Sequence, residues 1–238
     1  MSRASEFIRL YNEVDAYLRR RTGADDRRSF SHVVQSAART DRAVRHVRDL
    51  LIDYGQLRNA IIHSDEYPEK IIAEPNEETV QEFSRIAGLV MSPPRLIPAF
   101  QRVIRCFSPD DPVVSALAYM RDRGYSQVVI QTDDGLQVLT VEGIARWLGR
   151  RVEENGMRVE DETLSEAVAC EPPGSFVVMG RDDTIFDAQA AFIEHPAPGR
   201  ARLAVIIVTS NGNRSETPLG LVTPWDLMAA ARDGLPRG

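Results

Sequence analysis

A chain of 238 residues with 43% hydrophobic and 27% charged content can build one large or two small cores, which excludes a disordered polymer. Its net charge of −6 and pI near 5.3 disfavour non-specific binding to duplex DNA or to an anionic membrane. The longest aliphatic run, Leu203 to Val208, is too short to span a bilayer, the first residues hold no apolar run of a secretory signal, and Cys106 and Cys170 lack metal-ligand spacing, so a cytoplasmic protein with no metal is expected.

In chain order, Glu6 to Arg20 carries Phe7, Leu10, Tyr11, Val14, Tyr17 and Leu18 at helical spacing. A second helix starts near Ser31 and holds Val33, Val34, Ala37 and Ala38. A longer third helix begins at Asp41 and buries Val44, Val47, Leu51, Tyr54, Leu57 and Ile61. Arg39, Arg42, Arg45 and Arg48 line its other side, a basic row that suits a solvated face or an RNA contact. Pro68 closes this region, and Asn76 caps a last helix with Val80, Phe83, Ile86, Ala87 and Val90 inward. Residues 1–92 thus read as an all-α helical bundle.

Pro93, Pro94 and Pro98 mark a boundary, and residues 93–238 form a second domain with a different period. A helix from Ser108-Pro-Asp-Asp-Pro carries Val113, Val114, Ala116, Leu117 and Met120; strands at Val128 to Ile130 and Leu136 to Thr140 flank the turn Thr132-Asp-Asp-Gly; Ile144, Trp147 and Leu148 lie on a closing helix. The order repeats from Phe176: strand, helix with Ile185, Ala188, Ala191 and Phe192, strand Leu203 to Val208, a hairpin at Asn211-Gly-Asn, strand Leu219 to Val222, helix Pro224 to Ala231. Asp110-Asp111 aligns with Asp182-Asp183, and Ala116 with Ala188. The fold class is therefore α+β, a helical bundle followed by a tandem βαββα repeat (copies at about 100–150 and 170–232), each copy too small to cover both sheet faces alone.

The second copy ends in Leu219-Gly-Leu-Val-Thr-Pro-Trp-Asp-Leu227. A hydroxyl at Thr223 and the first helical N–H groups can meet a phosphate, and the Asp226 carboxylate can accept from both hydroxyls of a ribose. A plain capped helix, with Thr223 as N-cap and Pro224 in the first turn, has the same pattern. The repeat and the G-x-x-T-x-x-D spacing of Gly220, Thr223 and Asp226 resemble the cystathionine-β-synthase (CBS) domain pair, over roughly Phe100 to Ala231. That resemblance implies a regulatory ligand such as ATP, ADP, AMP or a related adenosyl compound, with Thr223 on phosphate and Asp226 on ribose. Val178, Met179 and Ile206 are the expected walls for adenine. In the first copy Thr140 stands in place, Gly143 replaces the aspartate, and Glu142 points about 100° away on a helix; one good site is expected.

In the helical region, Arg58-Asn59-x-x-x-His63 resembles the R-x(4–6)-H signature of HEPN domains, which include metal-independent endoribonucleases and non-catalytic members. A histidine that titrates near neutrality and an arginine that holds phosphate suit RNA cleavage by the 2′-hydroxyl, and Asn59 could hold the imidazole. On an ideal helix Arg58 and His63 lie about 140° apart, so they diverge unless the helix frays near Ser64. The resemblance implies a homodimer with RNA as partner; the alternative is a helical domain that only dimerises or binds a partner.

Overall fold

The computed structural model describes residues 2–63, 70–153, 162–194 and 202–232. They fall into two compact units that divide between Pro94 and Arg95. No helix among the described residues is long and apolar enough to cross a membrane.

The N-terminal unit holds α1 (Arg3–Thr22), α2 (Phe30–Ala37), α3 (Arg42–His46), α4 (Arg48–Ile61), the strands β1 (Ile62–His63) and β2 (Lys70–Ile71), and α5 (Glu77–Met91). Short polar side chains start the helices. Ser2, Ser29, Asp41 and Asn76 each accept from a backbone N–H three residues on, satisfying a donor the helix cannot. The apolar stripes meet in one core, where Phe7, Tyr54 and Phe83 pack ring on ring with centroids 4.6–6.0 Å apart. Burial of Tyr54 pushes its hydroxyl pKa well up, with the Glu82 charge adding to the rise.

Two features depart from the sequence expectation. The run from Asp41 to Ile61 is two helices, because Val47 leaves helical geometry at φ −112°, ψ 17°. Periodicity does not reveal the break: Val44, Val47 and Leu51 keep three- and four-residue spacing across it and all three are buried. The unit also contains an antiparallel pair, Ile62 with Ile71 and His63 with Lys70, closed by Ile72 N–H on the Ile61 carbonyl at 2.9 Å. Four residues of strand within a helical bundle leave no period to read.

The second unit begins with α6 (Leu96–Ala99), a turn interrupted at Ile97. The first copy follows as β3 (Cys106–Phe107), α7 (Val113–Arg123), β4 (Gln127–Thr132), β5 (Gly135–Thr140) and α8 (Val141–Glu153). After α9 (Leu164–Val168) comes the second, β6 (Phe176–Gly180), α10 (Ile185–Glu194), β7 (Val205–Thr209), β8 (Gly220–Val222) and α11 (Pro224–Arg232). Each copy makes a sheet of one parallel and one antiparallel pair, ordered β3-β4-β5 and β6-β7-β8. The tandem βαββα order expected from sequence is the order observed. The start of each repeat matches atom for atom, with Ser108 N–H on the Asp111 carboxylate at 2.8 Å and Gly180 N–H on Asp183 at 2.7 Å.

Alternation divides the strand side chains between two layers. In the first copy Val128, Ile130 and Leu139 join Ile144 and Trp147 of the helices, while Val129, Leu136 and Val138 join Phe176, Val205 and Ile207 of the other sheet. Each copy thus covers the sheet face the other cannot. The segment before the first copy is stitched to the second: Leu96 N–H reaches the Asp183 carbonyl at 2.8 Å, Ile97 N–H that of Arg181 at 3.2 Å, and Arg102 N–H that of Leu219 at 3.1 Å. Gly220 is required here, since a Cβ on it would lie 2.3 Å from the Phe100 carbonyl oxygen.

Candidate functional site

Where β8 turns into α11, Thr223 donates from its backbone N–H and its hydroxyl to Oδ2 of Asp226, at 2.7 and 2.6 Å. Asp226 N–H returns a bond to the hydroxyl at 3.4 Å. This is a reciprocal cap with the carboxylate near the positive end of the helix dipole. Thr184 and Asp187, also T-x-x-D, make the same three bonds at the start of α10, at 2.9, 2.6 and 3.2 Å. The cap by itself therefore serves a helix start as well as a ligand.

At Asp226 a further partner enters. Its Oδ1 meets Arg102 Nη2 at 3.1 Å, and the same guanidinium donates to the Leu221 carbonyl. Arg102 and Thr223 line a pocket of about 70 Å³ that the second copy shares with the first. Leu221, Val128 and Val129 of β4, and the segment Val103 to Arg105 line it too, with Tyr119, Tyr125 and Gln127. Arg105 is held by aromatic faces, 4.5 Å from the Phe107 centroid and 5.0 Å from that of Tyr119, and Tyr119 stands edge-on to Tyr125 at 5.6 Å. The cleft offers two guanidiniums and a half-exposed phenol ring, and the turn at its edge adds a helix N-terminus and, behind Arg102, an acceptor-only carboxylate. That set can hold a diol, an anion and a planar ring. Its present volume is far below the roughly 300 Å³ at which small-molecule pockets begin, with Arg102 lying across the carboxylate.

Of the residues singled out from sequence, Gly220, Thr223, Pro224 and Asp226 come together at this turn, Pro224 being exposed in the first turn of α11. Val178, Met179 and Ile206 lie on β6 and β7, Val178 against the layer between the sheets and Ile206 wholly buried; none of them lines the pocket with Thr223. Arg102, Arg105, Tyr119 and Tyr125 were not anticipated. They come from the preceding segment and the other copy, where no motif marks them.

The first copy answers its missing aspartate differently. Thr140 N–H donates to Glu171 Oε2 at 2.8 Å, and the Thr140 hydroxyl bonds both Glu171 oxygens at 2.9 and 3.0 Å. Gly143 N–H donates to the Thr140 hydroxyl at 3.1 Å. Glu142, the neighbour in sequence, faces outward and pairs with Arg146 at 2.7 Å.

In the helical unit, the Arg58 guanidinium is half-buried against the Tyr11 ring, 5.8 Å from its centroid, while Asn59 is exposed. Burial, followed by the Asp15 charge, pushes the Tyr11 hydroxyl up to about 12 against the opposing effect of Arg58. The helix ends at Ile61, so His63 belongs to β1; its side chain lies outside the described residues, as does Pro68. In the basic row, Arg45 donates to the carbonyls of Ala38 and Arg39, both at 2.9 Å, and Arg48 pairs with Asp49 at 2.8 Å. No group of three metal-ligating side chains occurs among the described residues.

No family model matches the sequence, and no curated protein does. Among solved structures the chain is similar to CBSX2 in complex with AMP, at 12% identity and TM-score 0.44 over 59% of this chain and 97% of that one. It is also similar to a hexameric CBS-CP12 protein from bloom-forming cyanobacteria, at 14% identity and TM-score 0.41 over 58% and 74% of the two chains. A CBS domain-containing protein from Kribbella flavida matches at 15% identity and TM-score 0.41, over 56% and 95%.

Proposed function

We propose that this chain is a regulatory protein in which a CBS-type pair binds an adenine nucleotide at the start of α11 and, as a cytoplasmic homodimer, governs what the helical unit does. The observation that carries this reading is the pairing of Asp226 with Arg102, a guanidinium that lines the same cleft as Thr223. A nucleotide offers each member a better partner. Its ribose hydroxyls donate to Asp226, and its phosphates take Arg102, Arg105 and the N–H groups of α11. Arg102 leaves the carboxylate, the cleft widens, and Tyr125 receives the base. Control of the helical unit then requires the nucleotide to favour one arrangement of the dimer over another, since equal affinity shifts nothing.

Thermal shift with ATP, ADP, AMP and S-adenosylmethionine tests this. At a hundredfold excess over Kd, the bound form gains about 2.7 kcal/mol, which raises Tm by several degrees, and Asp226→Ala cuts the rise to about half or less. An equal rise in that variant removes the cleft from the proposal. For the helical unit, Arg58 packed on Tyr11 favours partner binding or dimerisation over RNA cleavage. Labelled RNA incubated in EDTA stays intact on this reading; cleavage that disappears in His63→Ala would establish the ribonuclease instead.

A further inference from the structure

The first copy carries a glycine where a carboxylate is needed, and a carboxylate where the repeat has none. A Cβ on Gly143 would lie 1.9 Å from Glu171 Oε2, so the Glu171 carboxylate fills the space that a side chain at position 143 would use. It reaches there from the connection between the copies, 31 residues beyond Thr140. Its bonds to Thr140 N–H and hydroxyl are those that Asp226 makes to Thr223. We infer that Glu171 is the displaced carboxylate of the first copy, holding the start of α8 as Asp226 holds that of α11, and that it closes the first cleft as an internal occupant.

The two carboxylates differ in what they leave over. Asp226 spends Oδ2 on Thr223 and turns Oδ1 outward to a cation, whereas both Glu171 oxygens are turned onto Thr140, which is only 6% exposed. Among the described residues Glu171 has no ion-pair partner, so its charge opposes a phosphate at that helix start. The carboxylate of the second copy is thus paired with a cation, and that of the first is turned wholly onto its own threonine.

A double-mutant cycle on the full chain tests this, with Tm and ATP stoichiometry by titration calorimetry as readouts. Glu171→Ala removes a helix cap and lowers Tm by about 2–4 °C. In the Gly143→Asp background, where the new aspartate caps Thr140 and Glu171 swings out, the same substitution costs less than about 1 °C. The native chain binds one ATP and the double variant two. An equal Tm loss in both backgrounds overturns the substitution of one carboxylate for the other. A double variant that still binds one ATP, or a native chain that already binds two, overturns the closure. The stoichiometry rests on the nucleotide reading; if ATP binds none of these proteins that reading fails, while the Tm cycle decides the role of Glu171 alone.

Discussion

The two copies solve one local problem in two ways. Each has a strand that ends in threonine, a helix that starts there, and backbone N–H groups that need an acceptor. In the second copy the acceptor is local, Asp226, and its second oxygen faces Arg102. In the first it is distant, Glu171, with both oxygens turned onto Thr140. The comparison teaches that a threonine–carboxylate cap serves a helix start with or without a site beside it, as Thr184 and Asp187 also show. What makes one cap a candidate site is an unspent oxygen beside a movable cation.

The strongest way to break the comparison is to remove each carboxylate in turn. Asp226→Ala should weaken ATP by about 10- to 100-fold, the range of one to two charge-assisted hydrogen bonds. Glu171→Ala should leave ATP affinity within about twofold, since Glu171 does not line the pocket beside Thr223; titration calorimetry measures both. Equal losses would make the copies equivalent. A smaller effect with a change of sign sharpens the asymmetry. Arg102→Ala should tighten adenosine by about 2- to 5-fold, the value of a surface ion pair that no longer competes for Asp226, and weaken ATP, which loses a phosphate partner. A loss for both ligands would make Arg102 a plain binding residue.

The smallest effect concerns the hairpins. The first copy closes with Asp133-Asp134 between paired Thr132 and Gly135, while the second uses a longer loop clasped by Glu216. Bonds from the Asn211 side chain and backbone hold the Glu216 carboxyl down at about 2, from the ordinary 4.5. A depressed folded pKa means this contribution is present above the unfolded value and is lost as pH falls from about 4.5 through about 2. The Glu216 carboxyl resonance should titrate in that lower range by NMR; titration near 4.5 would show that the clasp does not form in solution.

Much of this molecule could be read from local pattern. Helical stripes located α1, α2 and α5; short apolar runs and turn residues located β4, β5 and β7; and the spacing of Gly220, Thr223 and Asp226 marked the turn at α11. These signals work because a helix cap, a pleat or a hairpin involves residues a few positions apart. The expectation of a single long helix from Asp41 to Ile61 failed at Val47 for the same reason, as burial on both sides of a kink looks periodic.

Sequence alone determined that the chain is a helical bundle followed by a duplicated βαββα unit, that the second copy keeps its T-x-x-D turn, and that the first lacks the aspartate. Tertiary structure alone decided that Glu171 replaces it, that Arg102 lies on Asp226, and that Tyr119, Tyr125 and Arg105 line the pocket beside Thr223. The physical reason is distance along the chain. A carboxylate is pulled to whichever unpaired N–H and hydroxyl the packing of two sheets brings within reach, and nothing in the residues between Thr140 and Glu171, or between Arg102 and Asp226, carries a trace of that attraction.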